Sequence, residues 1–302
     1  MVPSKANQLS IPRSSPPLFF SILIAVSLAI WFRPLVSTFT LALHDDQYTH
    51  ILLIIPVSVA LIFLDWKGPE ASSTFSVSWS AILLALAALA AVFAKLRFIG
   101  LQPDEQLAIN MLALVVWWIG SFILCFGASA FRLAVFPLCF LLWMVPIPEV
   151  VLGPVVKLLQ QGSADSAHLL FASVGVPVAQ DGTLLTIPGL TIEVARECSS
   201  IRSSLMLVVT TMVLAQMLLR SPWRKALVVA VAIPLSVAKN GLRIFVLGML
   251  GTRVDPGFLS GRLHHQGGII YFLIALAAIF LLLWIARRGD EKELASPQVL
   301  TR

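Results

Sequence analysis

The chain has 302 residues, of which 58% are apolar and 12% charged. A soluble domain carries about a quarter charged residues, so this composition excludes an ordinary soluble enzyme, a coiled coil and a disordered chain. The net charge of +6 results from 21 basic and 15 acidic residues. In a membrane protein such a surplus mostly encodes topology, and we therefore expect membrane lipids around the chain and no nucleic-acid partner.

Eight apolar runs approach or exceed the length of a membrane-spanning helix, about 20 residues. They lie near 18–40, 50–66, 77–98, 107–127, 130–147, 201–219, 225–250 and 268–287. The pattern predicts an all-α polytopic membrane bundle of about eight helices, built as one domain over residues 1–302. Basic residues concentrate at the run ends assigned to the cytoplasm, so we expect residues 1–16 and 288–302 to be cytoplasmic tails.

One long segment, residues 148–197, interrupts the helical hairpin pattern and falls on the extracytoplasmic side. Its first half, Val150 to Phe171, mixes apolar and polar positions, which predicts an amphipathic helix at the membrane interface. Its second half, Val176 to Val194, has Pro-Gly and Asp-Gly turn signals between β-branched stretches. This half predicts a small hairpin.

Cys198 begins the sixth run, where a thiol feels the positive end of the helix dipole and free backbone N–H groups. Both stabilise a thiolate, and Arg202, four residues further on, adds positive charge on the same face. The alternative is an inert interfacial thiol, since most cysteines are inert. Cys125 and Cys139 lie inside apolar runs, where a thiol is usually a small apolar filler, and no disulfide framework is expected.

The seventh run carries Lys239, Asn240 and Arg243. Charges within a span are costly and indicate a functional site. Arg243 lies seven residues before the run ends, or about 10 Å below the outer edge. The alternative is a structural cation bonded to carbonyls, or a side chain that snorkels outward.

His264 and His265 directly precede the last run. Neighbouring residues on a helix point about 100° apart, so the two imidazoles do not share a direction. A third ligand is also missing nearby, and we expect neither a metal site nor a cofactor.

The expected topology brings these three features to the outer ends of consecutive helices. The sixth span starts outside at Cys198, the seventh ends outside with Arg243 in its outer half, and the eighth starts outside at His264. A thiolate can act as nucleophile, an imidazole as base and acid, and a guanidinium as oxyanion partner.

With these motifs the chain resembles the exosortase/archaeosortase family of transmembrane cysteine proteases. Cys198 to Ser203 is similar to the family's Cys-Ser-Gly-Ile-Arg-Ser, with Ser200 in place of glycine. Asn240 to Ile244 resembles Asn-x-x-Arg-Ile, and His264 with Gly268 resembles His-x-x-x-Gly. Further similar stretches are Asp46 to His50, Pro146 to Pro148, Gly175 to Val178, and Gly182 to Pro188.

The resemblance implies a multi-pass enzyme of the bacterial inner membrane with its active site on the extracytoplasmic side. It implies partners that are secreted proteins ending in a short motif, one transmembrane helix and a basic tail. Cys198, Arg243 and His264 would be catalytic. Cleavage would pass through a thioester, which water or another acceptor then releases. The supporting residues would be Arg202, His50, Asn240 and His265.

Two other functions stay open from the residues alone. One is a membrane acyltransferase or lipid-modifying enzyme that uses polar groups on the outer face. The other is an anion transporter that uses Lys239 and Arg243. A transporter predicts further polar partners near the midplane of several spans.

Overall fold

The computed structural model describes residues 16–65, 77–96, 100–194, 201–255 and 268–295. Within these residues the chain forms two compact units. The first comprises Met1–His44 with Ile51–Pro148, and the second comprises Asp45–His50 with Glu149–Arg302. The prediction of a single domain stays a prediction.

The first unit consists of apolar helices. They are α1 (Pro16–Ile30), α2 (Phe32–His44), α3 (Ile51–Asp65), α4 (Val77–Phe93), α5 (Pro103–Leu133) and α6 (Val135–Phe140), which a 3-10 turn, Leu141–Met144, follows. The helices α1 and α2 form one bent pair with an angle of 74°. In α5, Gly127 has φ 84° and ψ 171°, a conformation that L side chains rarely adopt, and the helix kinks there.

The second unit contains the remaining elements. They are the 3-10 turn Asp46–Tyr48, α7 (Glu149–Ser173), β1 (Ala179–Asp181), β2 (Leu184–Ile187), β3 (Leu190–Glu193), α8 (Ile201–Leu218), α9 (Pro222–Arg253) and α10 (Gly268–Ala295). The predicted hairpin is present and has one strand more than expected. The three strands form an antiparallel sheet in the order β1-β2-β3.

The helices α8, α9 and α10 form an antiparallel bundle around an apolar core. This core comprises Leu207, Ala215, Leu219, Val228, Ala232, Ala275, Ile279 and Leu283. At one end of the bundle Asp290 of α10 accepts a hydrogen bond from the backbone N–H of Arg220 at 2.9 Å and pairs with Arg224 at 2.5 Å. These contacts join the last turns of α10 to the connection between α8 and α9. The beginnings of α8 and α10 therefore lie at the opposite end of the bundle, with the end of α9.

The helix α7 runs parallel to α9 and in close contact with it. A Cβ at Gly162 would meet Val237 at 3.0 Å, a Cβ at Gly248 would meet Phe171 at 2.8 Å, and a Cβ at Gly241 would overlap the Cβ of Ser166. The contacts advance along both helices in the same direction. The sequence pattern predicted the helix but not this parallel packing, which small residues at the contact permit.

The structure confirms the predicted class, an all-α polytopic membrane bundle. Within the described ranges five helices are long and apolar enough to cross a membrane, or seven if each of two bent pairs is one span. The sequence predicted about eight. Part of the difference lies at α4, whose 17 residues fall short of the length a span requires. In the apolar stretches of these five helices, only 22% to 56% of each stretch is buried inside the protein. The remaining apolar surface suits a lipid environment.

We expect Gly241→Ala to destabilise the protein because its new methyl group overlaps Ser166. Overpacking of this kind costs about 1–3 kcal/mol, and it would lower the midpoint of thermal unfolding in detergent. The matched control is Gly153→Ala in α7, where the added methyl meets only the end of Glu149 at 3.4 Å. The double variant Gly241→Ala, Ser166→Gly should recover part of the loss. An unchanged midpoint in Gly241→Ala would contradict the close approach.

Candidate functional site

The buried polar side chains of α9 are Ser236, Lys239 and Asn240, near the middle of the helix. Lys239 is 6% exposed and Asn240 is 1% exposed, whereas Arg243, one turn beyond Lys239, is half-buried. Two cations one turn apart on a helix repel each other. A buried cation inside a span also loses most of its hydration. Packing alone gives no reason for this pair of charges.

Two lysines of α9 form hydrogen bonds to residues of α8, one near each end of the contact between these two helices. Lys239 Nζ donates a hydrogen bond to Ser203 Oγ, and Lys225 Nζ donates one to Gln216 Oε1 at 2.8 Å. The two acceptors are 13 residues apart on α8, and the two donors are 14 residues apart on α9. The helices therefore keep an almost constant antiparallel register. Ser203 belongs to the first turn of α8, so this register fixes where α8 begins relative to α9.

The first turn of α10 lies at the same place. Tyr271 in this turn is buried, at 8% exposure, and α10 packs on both α8 and α9. Arg243 lies one helical turn after Lys239 on α9. We call this region of the second unit, with Ser203, Lys239, Asn240, Arg243 and Tyr271, the polar end.

The segment Asp45–His50 also packs against α8 at this end. Asp46 forms an ion pair with Arg202 at 2.7 Å. The side chains are 78% and 52% exposed, so solvent screens the pair and its contribution to stability is small. His50 is 4% exposed, and its Nδ1 lies 3.2 Å from the carbonyl oxygen of Gln47. The carboxylate offsets part of the positive charge of Arg202.

The sheet leads the chain towards the polar end. Gln160 of α7 donates a hydrogen bond to the carbonyl oxygen of Val194 at 2.8 Å. Val194 belongs to one apolar cluster with Phe171 of α7 and Ile244, the neighbour of Arg243. The last described residue before Cys198 is thus fixed close to the α9 motif.

Four of the residues that the sequence singled out belong to the same compact unit. Arg202, Asn240, Arg243 and His50 all belong to the second unit, in α8, in α9 and in the segment Asp45–His50 that packs on α8. Cys198, His264 and His265 lie outside the described residues. The catalytic and supporting roles of all seven stay predictions.

Sequence reasoning did not single out Ser203, Asp46 or Tyr271 as parts of a site. Ser203 and Asp46 both lie in stretches that resemble family motifs, which is the one signal that could have found them. Tyr271 gave no signal beyond its place near the start of an apolar run. Among the described residues no group of three or more His, Cys, Asp or Glu side chains is placed to hold a metal ion.

The helices and the buried polar end define a multi-pass membrane protein. A model of the transmembrane exosortase family matches residues 40–281, from the end of α2 into α10. The match covers most of the chain, and the chain belongs to this family. No curated protein and no solved structure matches it.

Proposed function

We propose that this exosortase-family protein is a membrane-embedded cysteine peptidase that cleaves a C-terminal sorting signal from secreted proteins. One observation carries the proposal: the first turn of α8 is bonded through Ser203 to Lys239 of α9, one helical turn from Arg243, at the end of the bundle where α10 also begins. The family motifs add a thiol directly before α8 and an imidazole directly before α10.

Chain length limits how far Cys198 and His264 can be from this site. An extended chain spans about 3.5 Å per residue. Cys198 precedes Ile201 by three residues and follows Val194 by four, so it lies within about 10 Å and 14 Å of them. His264 precedes Gly268 by four residues, a reach of about 14 Å. These limits are consistent with contact between Cys198, His264 and Arg243.

The proposed reaction uses Cys198 as nucleophile, Arg243 as oxyanion partner and His264 first as base and then as acid. His264 takes the thiol proton as Cys198 Sγ forms a bond to the carbonyl carbon of the scissile peptide. Arg243 stabilises the resulting oxyanion with its guanidinium N–H groups. When the tetrahedral intermediate collapses, the C–N bond breaks and His264 gives the proton to the leaving amine. A thioester remains, and water or an amine acceptor then displaces the thiol.

The proposed substrates are secreted proteins that end in a short motif, one transmembrane helix and a basic tail. We place the polar end on the extracytoplasmic side of the bacterial inner membrane, because the basic residues of the sequence favour cytoplasmic termini. A membrane-embedded site next to the start of two helices suits a substrate whose own helix ends beside the scissile bond.

The distribution of buried charge argues against an anion transporter. Apart from His50, the buried charged side chains of the described residues are Lys239 and Asp290. Asp290 is paired with Arg224 at the opposite end of α9. A transport path needs charged or polar partners spread over several spans near the midplane, and these two residues do not form one.

We expect Cys198→Ala to insert normally and to leave a client uncleaved, because the nucleophile is removed. The measurement is the mass of a co-expressed reporter that ends in a Pro-Glu-Pro motif, one transmembrane helix and an arginine-rich tail. The controls Cys125→Ala and Cys139→Ala should process the reporter normally. Full activity of Cys198→Ser would instead favour the acyltransferase alternative, and normal cleavage by Cys198→Ala would refute the peptidase.

We expect Arg243→Lys to slow cleavage strongly, although it keeps the charge. An ammonium lacks the planar fork of the guanidinium, and loss of one oxyanion donor slows catalysis by about a hundred- to a thousandfold. The rate is measured on the same reporter at matched expression. A wild-type rate in Arg243→Lys would assign a simple charge role to Arg243 and leave Arg202 as the oxyanion partner.

We expect His264→Ala to abolish processing and His265→Ala to retain it. General acid–base catalysis contributes about a hundred- to ten-thousandfold. The spacing of four residues from His264 to Gly268 matches the family motif, and a Cβ at Gly268 would meet nothing within 4 Å, which leaves space for a substrate backbone. The reverse pattern would exchange the two roles, and survival of both variants would remove histidine from the mechanism.

A further inference from the structure

Ser203 of α8 and Lys239 of α9 form a hydrogen-bonded pair that the proposed peptidase mechanism does not use. Lys239 Nζ donates to Ser203 Oγ. A hydroxyl is both a donor and an acceptor, so the direction of this bond reverses when the amine is neutral, and the hydroxyl proton then points at the nitrogen. A serine hydroxyl beside a lysine amine is one of the arrangements in which serine acts as a nucleophile.

Two other hydroxyls on these helices have an ordinary partner. Thr211 Oγ1 donates to the carbonyl oxygen of Leu207 at 2.6 Å, and Ser236 Oγ donates to that of Ile233 at 2.7 Å. Each bond lies within its own helix, which is a common way for a helix to satisfy a hydroxyl. Thr211 and Ser236 are also fully buried, whereas Ser203 is half-buried. The hydroxyl that has a lysine as its partner is therefore also the one that a substrate can approach.

The surroundings of Lys239 are those of a lysine that works as a base. Lys239 is 6% exposed, and Arg243 follows it by one turn on the same helix. Catalytic lysines are typically desolvated in an apolar site or lie next to another cation, and both conditions hold here. The other lysine bond between α8 and α9 differs in its acceptor. Lys225 is half-buried and donates to the amide oxygen of Gln216, which is not a nucleophile, so this bond serves as a link only.

We propose that Ser203 and Lys239 are the nucleophile and the general base of an acyl-transfer site. Because both α8 and α9 are long and apolar enough to cross a membrane, the substrates are carboxylic esters that enter from the lipid. Ser203 Oγ forms a bond to the ester carbonyl carbon while its proton passes to the neutral amine of Lys239. Arg243, one turn away, offsets the charge of the oxyanion. The bond from the carbonyl carbon to the ester oxygen then breaks, and Lys239 returns the proton to the leaving alcohol. Water, activated by the same amine, releases the acid and restores Ser203.

The experiment removes all three thiols of the chain and follows Ser203. The parent protein is the full chain with Cys125→Ala, Cys139→Ala and Cys198→Ala, purified in detergent and treated with a fluorophosphonate, a reagent for activated serine hydroxyls. We expect an adduct at Ser203, located by mass spectrometry, and no adduct after heat denaturation. The same protein should hydrolyse p-nitrophenyl octanoate. Ser203→Ala should lose both reactions.

Two substitutions of Lys239 distinguish a base from a link between helices. Lys239→Met removes the base and should slow both reactions about a hundredfold or more. Lys239→Arg keeps a cation and a hydrogen-bond donor, but a guanidinium stays protonated and cannot take the serine proton, so we expect the same loss. The matched controls are Lys225→Met, which removes the other lysine bond, and Ser204→Ala, which removes the adjacent hydroxyl. Both should react at the parent rate.

A folded parent without an adduct at Ser203 would overturn the proposal. Parent rates in Lys239→Arg would also overturn it, because a donor that links the helices would then be sufficient. If Lys239→Met fails to fold, Lys239→Arg decides; if both fail, ester hydrolysis that survives in Ser203→Ala overturns the proposal. The ester assay contains no thiol and no client, so its failure leaves the peptidase proposal untouched. That proposal is decided by reporter cleavage in Cys198→Ala.

Discussion

The antiparallel register of α8 and α9 is the constraint on which the polar end depends. The bonds from Lys225 to Gln216 and from Lys239 to Ser203 hold the two helices at both ends of their contact. Apolar side chains between them interdigitate and resist sliding, because helix interfaces are close-packed. The two hydrogen bonds add polar contacts at defined positions, and together with the packing they set the beginning of α8 relative to Arg243.

Two further contacts extend this constraint to the neighbouring elements. Asp290 joins the end of α10 to the connection between α8 and α9, and α10 therefore begins where α9 ends. Gly241 lets α7 approach α9 until their backbones nearly touch, and α7 in turn fixes the last strand through Gln160 and Val194. The glycine next to Asn240 thus serves the packing of the helix that carries the site.

The cations of the polar end differ in exposure and in the kind of group that binds them. Arg202, at the exposed rim, is paired with the carboxylate of Asp46. Lys239 is buried on α9 and donates a hydrogen bond to the hydroxyl of Ser203. The exposed cation is thus offset by a carboxylate, whereas the buried cation is bonded to a neutral hydroxyl.

The sequence by itself determined the membrane class, the positions of α8, α9 and α10, and the stretch of α9 that carries the charges. Long apolar runs and costly charges are properties of single segments, so they are readable without a partner. Only the tertiary structure decided the parallel packing of α7 on α9, the third strand, the ion pair of Asp46 with Arg202 and the bond of Lys239 to Ser203. Each of these joins residues that are far apart along the chain or depends on the register between two elements. Register is decided by how complete surfaces fit together, and no single segment contains that information.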